Sequence, residues 1–204
     1  MRFLGAQRVP DKRVEMFIRR NFLSAAECAG ITALIDAARR PSTITDAYGA
    51  DADFRTSETA DLPGDDPLVG QVFRRLADYA GLPLAHAEAL QGQRYAPGQQ
   101  FKAHTDYFEP TGLDYFPHTE DGGQRTWTLM VYLNETQAGG ATRFVHLDRR
   151  VQPETGKLLA WHNRLADGGV NPMTLHAGMP VRAGTKYVIT AWFRDQPRSH
   201  PPVW

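Results

Sequence analysis

The apolar and polar positions divide the chain into two textures. Up to about residue 85 the apolar residues recur at helical spacing. Cys28, Ile31, Leu34, Ile35 and Ala38 share one face, and Ser24 with Glu27 forms a capping box ahead of them. The pattern predicts a helix running to about Arg40 and ended by Pro41. Leu68, Val72, Phe73, Leu76, Tyr79 and Ala80 repeat the period and predict a second helix over 68–80, with Gly81 as its C-cap. Residues 14–18 read as a short strand. Residues 42–66 are rich in Ser, Thr, Asp and Gly and read as loop, with a strand near 54–57.

Beyond residue 85, short strand-like segments alternate with Gly, Pro, Asp and Asn turns. They fall at 86–95, 101–106, 125–134, 141–146, 157–162, 173–176, 179–182 and 186–194. About eight short strands predict a jelly-roll barrel of the cupin type, a mainly β fold with supporting α. No repeat or linker interrupts the chain. The expected organisation is one domain over 1–204, with helical support over 1–85, a jelly-roll core over 86–195 and a tail over 196–204.

Composition narrows the classes. A chain of 204 residues fits one domain with a sizeable core, and 42% hydrophobic with 23% charged residues suits a soluble globular protein. The formal net charge is zero, which argues against a polyanion-binding surface and so against nucleic acid as partner. With one cysteine no intrachain disulfide can form, so a cytoplasmic setting is expected, with Cys28 a buried core residue. The first residues, MRFLGAQR, carry no apolar h-region, and no run approaches 18 apolar residues, so neither a signal peptide nor a membrane span is expected.

Within the strand-rich half, His104-Thr105-Asp106 is followed far downstream by His176 and then Lys186. On a strand, residues 104 and 106 share a face while Thr105 points away, so two ligands reach one metal from one short stretch. A third ligand, His176, must come from a distant strand. Two histidines and a carboxylate make the facial ligand set of non-haem Fe(II) oxygenases. Lys186, ten positions after His176 on the last strand, offers a cation for the remote carboxylate of an organic acid that chelates the same metal. His86-Ala87-Glu88 is a rival pair without a further ligand pattern, and His118, His146, His162 and His200 lack a lysine placed as Lys186 is after His176.

The flanks of these residues resemble prolyl 4-hydroxylases, the collagen-type branch of the 2-oxoglutarate/Fe(II) dioxygenases. The likeness runs through EALQGQRYAPGQQFKAHTD (88–106), GGQRTWTLMVYLNE (122–135), GGATRF (139–144), VQPETGKLLAWHN (151–163) and TLHAGMPVRAGTKYVITAWFRD (174–195). Upstream, FLSAAEC (22–28) and RTSETADL (55–62) are also similar. The resemblance implies a double-stranded β-helix with the N-terminal helices packed on one sheet. It implies hydroxylation of a prolyl residue in a peptide or protein, with Fe(II) as metal, 2-oxoglutarate and O2 as cosubstrates, ascorbate as reductant, and succinate and CO2 as products.

By the same resemblance His104, Asp106 and His176 hold the iron. Lys186 and the hydroxyl of Tyr132 hold the distal carboxylate of 2-oxoglutarate. Tyr95 lies near the metal, and Thr128, on the face of Tyr132, is grouped with these cosubstrate residues. Arg125 and Trp192 line the substrate site, and Tyr107 is counted with them. Arg55-Thr56-Ser57 either contacts peptide or ends a strand. The long loop 107–124, with Tyr107, Phe108, Tyr115 and Phe116, reads as a lid with exposed aromatics for a polyproline-II ligand. Two rival functions remain at this stage: an oxygenase for a free amino acid or other small metabolite, and a non-catalytic jelly-roll binding module.

Overall fold

A computed structural model of the chain describes residues 2–43, 51, 53–113 and 115–200. Its elements, in order, are β1 (Gln7–Arg8), β2 (Met16–Arg19), α1 (Ala25–Ala38), β3 (Arg40–Pro41), β4 (Glu58–Asp61), α2 (Pro67–Ala80), β5 (Gln91–Tyr95), β6 (Phe101–His104), α3 (Tyr115–Thr119), β7 (Arg125–Tyr132), β8 (Ala138–Gly139), β9 (Thr142–Phe144), β10 (Arg149–Val151), β11 (Lys157–His162), β12 (His176–Gly178), β13 (Val181–Ala183) and β14 (Lys186–Arg194). An eight-stranded sheet runs β1-β2-β11-β7-β14-β5-β4-β3, a four-stranded sheet runs β10-β9-β12-β6, and β13 pairs with β8. This is the jelly-roll arrangement expected from the strand pattern.

Alternation along the central strands builds two cores. On β7 and β14, Trp127, Leu129, Val131, Ile189, Ala191 and Phe193 face the helices and pack on Cys28, Ile31 and Ile35 of α1 and on Val69, Val72, Phe73 and Leu76 of α2. The opposite face sends Met130, Tyr132 and Val188 inward, where they meet Phe144 and Val151 of the small sheet. β7 is covered on both faces, which is why RTWTLMVY reads as a nearly unbroken apolar run. Gly92 lets α1 lie close on the large sheet, since a Cβ there would come within 2.4 Å of Ile35 Cγ1.

The helix starts follow their sequence signals. Ser24 and Glu27 form the reciprocal capping box, Asp66 caps α2, and Gly81 closes it at φ 62°. Several boundaries differ from expectation. α1 ends at Ala38, and Pro41 stands in a two-residue edge strand, where its missing N–H does no harm. The strand expected at 54–57 is displaced to Glu58–Asp61, because 58–61 pair along β5 while Arg55 makes only an isolated bridge to Phe101. Positions 44–50 and 52 of the expected loop lie outside the described residues. The strand expected over 86–95 begins only at Gln91, after a 3-10 turn at Leu84–His86, and Pro172–Thr174, capped by Asn171, form another such turn just before β12.

Candidate active site

The register of the small sheet brings the three candidate ligands together. β12 pairs with β6 so that His176 stands directly opposite His104. Asp106 lies two residues past the end of β6, and its carboxylate swings into the same space. His104 Nε2 is 3.9 Å from Asp106 Oδ1, and His176 Nε2 is 3.9 Å from Asp106 Oδ2. Among the described residues these three form the one group of His, Cys, Asp or Glu whose ligand atoms all lie within 4.8 Å of one another. His86 is elsewhere, with Nδ1 against the Arg194 carbonyl, and Glu88 is engaged with arginines.

Each histidine is oriented from behind. His104 Nδ1 lies 2.8 Å from the Lys102 carbonyl, and His176 Nδ1 lies 2.9 Å from the Thr174 carbonyl. A carbonyl only accepts, so both Nδ1 atoms carry the proton and both Nε2 lone pairs face the shared point. Phe101 stacks on His104 at 3.5 Å, while Trp161 and Phe144 pack on His176. Burial, with His176 alongside, holds His104 down to about 3, so its ring is neutral and able to donate its lone pair. Burial pushes the Asp106 carboxyl up, but His176, His104, Arg125 and the Thr128 hydroxyl outweigh it and keep it below its usual range. Two imidazoles, each with its Nδ1 turned to a backbone carbonyl, and one carboxylate, all buried, fit a divalent iron.

These groups open into a pocket, partly open to solvent and also lined by Arg55, Tyr95, Thr190, Trp192 and Lys186. Lys186 is 2% exposed. Its ammonium makes no hydrogen bond or ion pair among the described residues and lies over the rings of Tyr95 at 4.8 Å and Tyr132 at 5.6 Å. Burial alone brings it down to about 7. A buried ammonium without an anion is unfavourable, and a ligand carboxylate would relieve it.

Other expected residues take different places. Tyr132 adds no surface to the pocket. Its hydroxyl lies 2.7 Å from Thr142 Oγ1 and 3.2 Å from the Val151 carbonyl, so it is spent on the small sheet, and Thr142 stands at the pocket instead. Thr128 does not reach the pocket either, and its hydroxyl donates to Asp106 Oδ2 at 2.7 Å. Trp192 faces inward and lines the pocket, as its parity with Lys186 requires. Arg125 stacks on Trp192 at 4.2 Å, yet its guanidinium is held by a two-pronged pair with Glu88, both bonds 2.6 Å. Arg125 therefore backs the tryptophan and adds no surface to the pocket.

The 107–124 loop also departs from expectation. Tyr107 and Phe108 are buried at 8% exposure each, while Phe116 remains 78% exposed. Phe108 lies beneath Arg125 and Arg194, stacks on His118, and has both its N–H and its carbonyl bonded to the Gln124 side chain. The base of the loop is thus a packed insertion and not an open aromatic surface.

Gln93, Thr142, Trp161 and Thr190 line the pocket without having been singled out in the sequence. Thr190 was within reach, since it shares the even parity of Lys186 and Trp192 on β14. Arg55, read only as a peptide contact or a strand end, proves to be a pocket-wall cation lying over Phe101.

Residues 90–194, half the chain, match the family model described as the 2OG-Fe(II) oxygenase superfamily. Among relatives, a mimivirus protein named as a prolyl 4-hydroxylase is 29% identical over 92% of this chain and 77% of its own length. An Arabidopsis thaliana protein named as prolyl 4-hydroxylase 3 is 32% identical over 86% of this chain and 68% of its own. A solved viral collagen prolyl hydroxylase from Paramecium Bursaria Chlorella virus-1, in complex with 2-oxoglutarate, superposes with a TM-score of 0.67 at 26% identity, covering 88% of this chain and 94% of that one. The chain belongs to the 2-oxoglutarate/Fe(II) oxygenase superfamily. It is an oxidoreductase whose cofactors are those of the family: Fe(II), 2-oxoglutarate and O2.

Proposed function

We propose that this enzyme hydroxylates a prolyl residue within a peptide or protein, consuming 2-oxoglutarate and O2 and releasing succinate and CO2. The observation that carries the chemistry is a single pocket holding the His104/Asp106/His176 cluster together with Lys186, a buried cation with no anion of its own among the described residues. The prolyl substrate rests on the relatives, which are named as prolyl hydroxylases over most of this chain.

In this reading His104, Asp106 and His176 hold Fe(II), which when bound supplies oxidation of an unactivated C–H bond by O2. Lys186 pairs with the distal carboxylate of 2-oxoglutarate and Tyr95 packs against that pair, so the cosubstrate is oriented by charge at one end. Trp192, braced by Arg125 and Glu88, forms the wall on which the substrate residue is positioned. Phe101, Met130 and Trp161, with Phe144 packed behind them, give the pocket an apolar wall, which strengthens each electrostatic contact beside it. Ascorbate as reductant and a cytoplasmic setting belong to the same proposal, the latter supported by the lone buried Cys28. No helix among the described residues is long and apolar enough to cross a membrane.

The test is 2-oxoglutarate turnover with Fe(II) across a panel of proline-containing peptides. Peptides should stimulate succinate release, and His104→Ala should abolish it without unfolding the chain. Stimulation by free proline or another small metabolite, with every peptide inert, would move the enzyme to the small-molecule class.

A further inference from the structure

Asp106 stands beyond the end of β6, so no strand ladder fixes its backbone, and its carboxylate would be free to turn. A buried chain of hydrogen bonds from the large sheet prevents this. Asn163, just past β11, is anchored through its own N–H to the Thr126 carbonyl at 2.7 Å. Its Nδ2 donates to Thr128 Oγ1 at 2.9 Å, and Thr128 Oγ1 donates to Asp106 Oδ2 at 2.7 Å. Asn163 and Thr128 are 0% exposed and Asp106 is 5% exposed.

The direction of this chain is forced. Thr128 has one proton, and Asp106 can only accept. Were the Asn163 amide turned over, its oxygen and the carboxylate would compete for that one proton. With the amide as it stands, Asn163 Oδ1 is buried and has no hydrogen-bond partner among the described residues. Buried polar atoms are rarely left unpaired, so an amide that leaves this oxygen unpaired while aiming its N–H at Thr128 Oγ1, which frees the Thr128 proton for the carboxylate, points to a role for that N–H.

We propose that Thr128 and Asn163 are positioning residues for Asp106. They hold the carboxylate in one rotation, occupy Oδ2, and present Oδ1, which accepts no hydrogen bond among the described residues, to the cation. This rests on the assignment of His104, Asp106 and His176 as the metal site. Partners of this kind behind a metal ligand alter metal affinity without touching the metal.

The experiment measures Co(II) binding to the full chain by calorimetry and by the visible spectrum of the bound ion, with calorimetric melting as a check on folding. Thr128→Val keeps the side-chain shape and removes the donor, and it should weaken Co(II) binding by about 10- to 100-fold and alter the spectrum. Thr128→Ser restores the hydroxyl and should bind within a few-fold of wild type with the wild-type spectrum. Asn163→Leu should shift affinity in the same direction by less, and it carries the test if the valine variant does not fold. Wild-type affinity and spectrum in folded Thr128→Val would overturn the proposal, as would equal losses in the valine and serine variants, which would mean packing and not the hydrogen bond. Co(II) binding that survives His104→Ala undiminished would show instead that the metal-site assignment itself has failed, and this inference with it.

Discussion

Replacing Lys186 with methionine should move two quantities in opposite directions. The side chain is 2% exposed and its ammonium has no anionic partner among the described residues. Burial brings it from 10.5 to about 7. At neutral pH that depression corresponds to a destabilisation of up to about 4 kcal/mol in the ligand-free protein. Lys186→Met keeps the length and apolar stem and removes the charge, so the ligand-free variant should melt several degrees higher, at about 2–4 °C per kcal/mol for a chain of this size. A charge-assisted bond to a carboxylate contributes about 1.5–3 kcal/mol, so the same variant should bind 2-oxoglutarate roughly 10- to 150-fold more weakly. The assays are calorimetric melting without ligand and titration of 2-oxoglutarate into Mn(II)-loaded protein, with Mn(II) affinity unchanged as the control. General damage would lower both stability and affinity. An unchanged 2-oxoglutarate affinity, or a lower melting temperature without ligand, would refute the assignment of Lys186 as an anchor awaiting its anion.

The pH dependence has a definite sign. Binding needs the ammonium, which the free protein loses above about 7, so the apparent Kd for 2-oxoglutarate should be flat below that pH and climb about tenfold per pH unit above it. Between about 7 and 10.5 the unfolded chain holds the extra proton, so this lysine makes the ligand-free protein more stable as pH rises through that window, visible as the difference between wild type and Lys186→Met in urea titrations. Glu88→Ala should lower stability by about 3–5 kcal/mol in urea unfolding, because it strands the half-buried Arg125 and buried Arg194 guanidinium groups that Glu88 accepts from at 2.5–2.6 Å. Gly156→Ala should lose about 2–4 kcal/mol by the same assay, since Gly156 sits at φ 72° and a Cβ there would lie 2.0 Å from the Leu23 carbonyl oxygen.

The metal cluster and Lys186 were legible because they depend on strand parity and on one pairing. Parity puts Lys186 and Trp192 on the inward face of β14, and the β6–β12 register then sets His176 opposite His104. Even here parity alone is incomplete, since Asp106 reaches the cluster from a bend beyond the strand and is aimed by Thr128 from the other sheet. Tyr132 shows the limit. Alternation places it inward, but its hydroxyl direction is set by Thr142 and Val151, which only the folding of the small sheet over the large one brings near. Glu88 was legible only as part of a rival metal pair, because its partners arrive from β7 and from the end of β14. The loop aromatics mislead for a related reason: composition suggests exposure, while two arginines from separate strands cover Phe108. The short strands β1, β3, β8 and β10 span two or three residues, too few to show a period of two.

The most direct test of the central claim is mass spectrometry of proline-rich peptides incubated with the enzyme, Fe(II), 2-oxoglutarate and O2, beside free L-proline. A peptide already in polyproline-II form loses little further entropy on binding. The account predicts one added oxygen on a prolyl residue, much poorer turnover of free proline, and a Trp192→Ala variant that loses peptide hydroxylation more than peptide-independent succinate formation. If no peptide gains an oxygen while free proline or another small metabolite does, the prolyl-peptide assignment is contradicted.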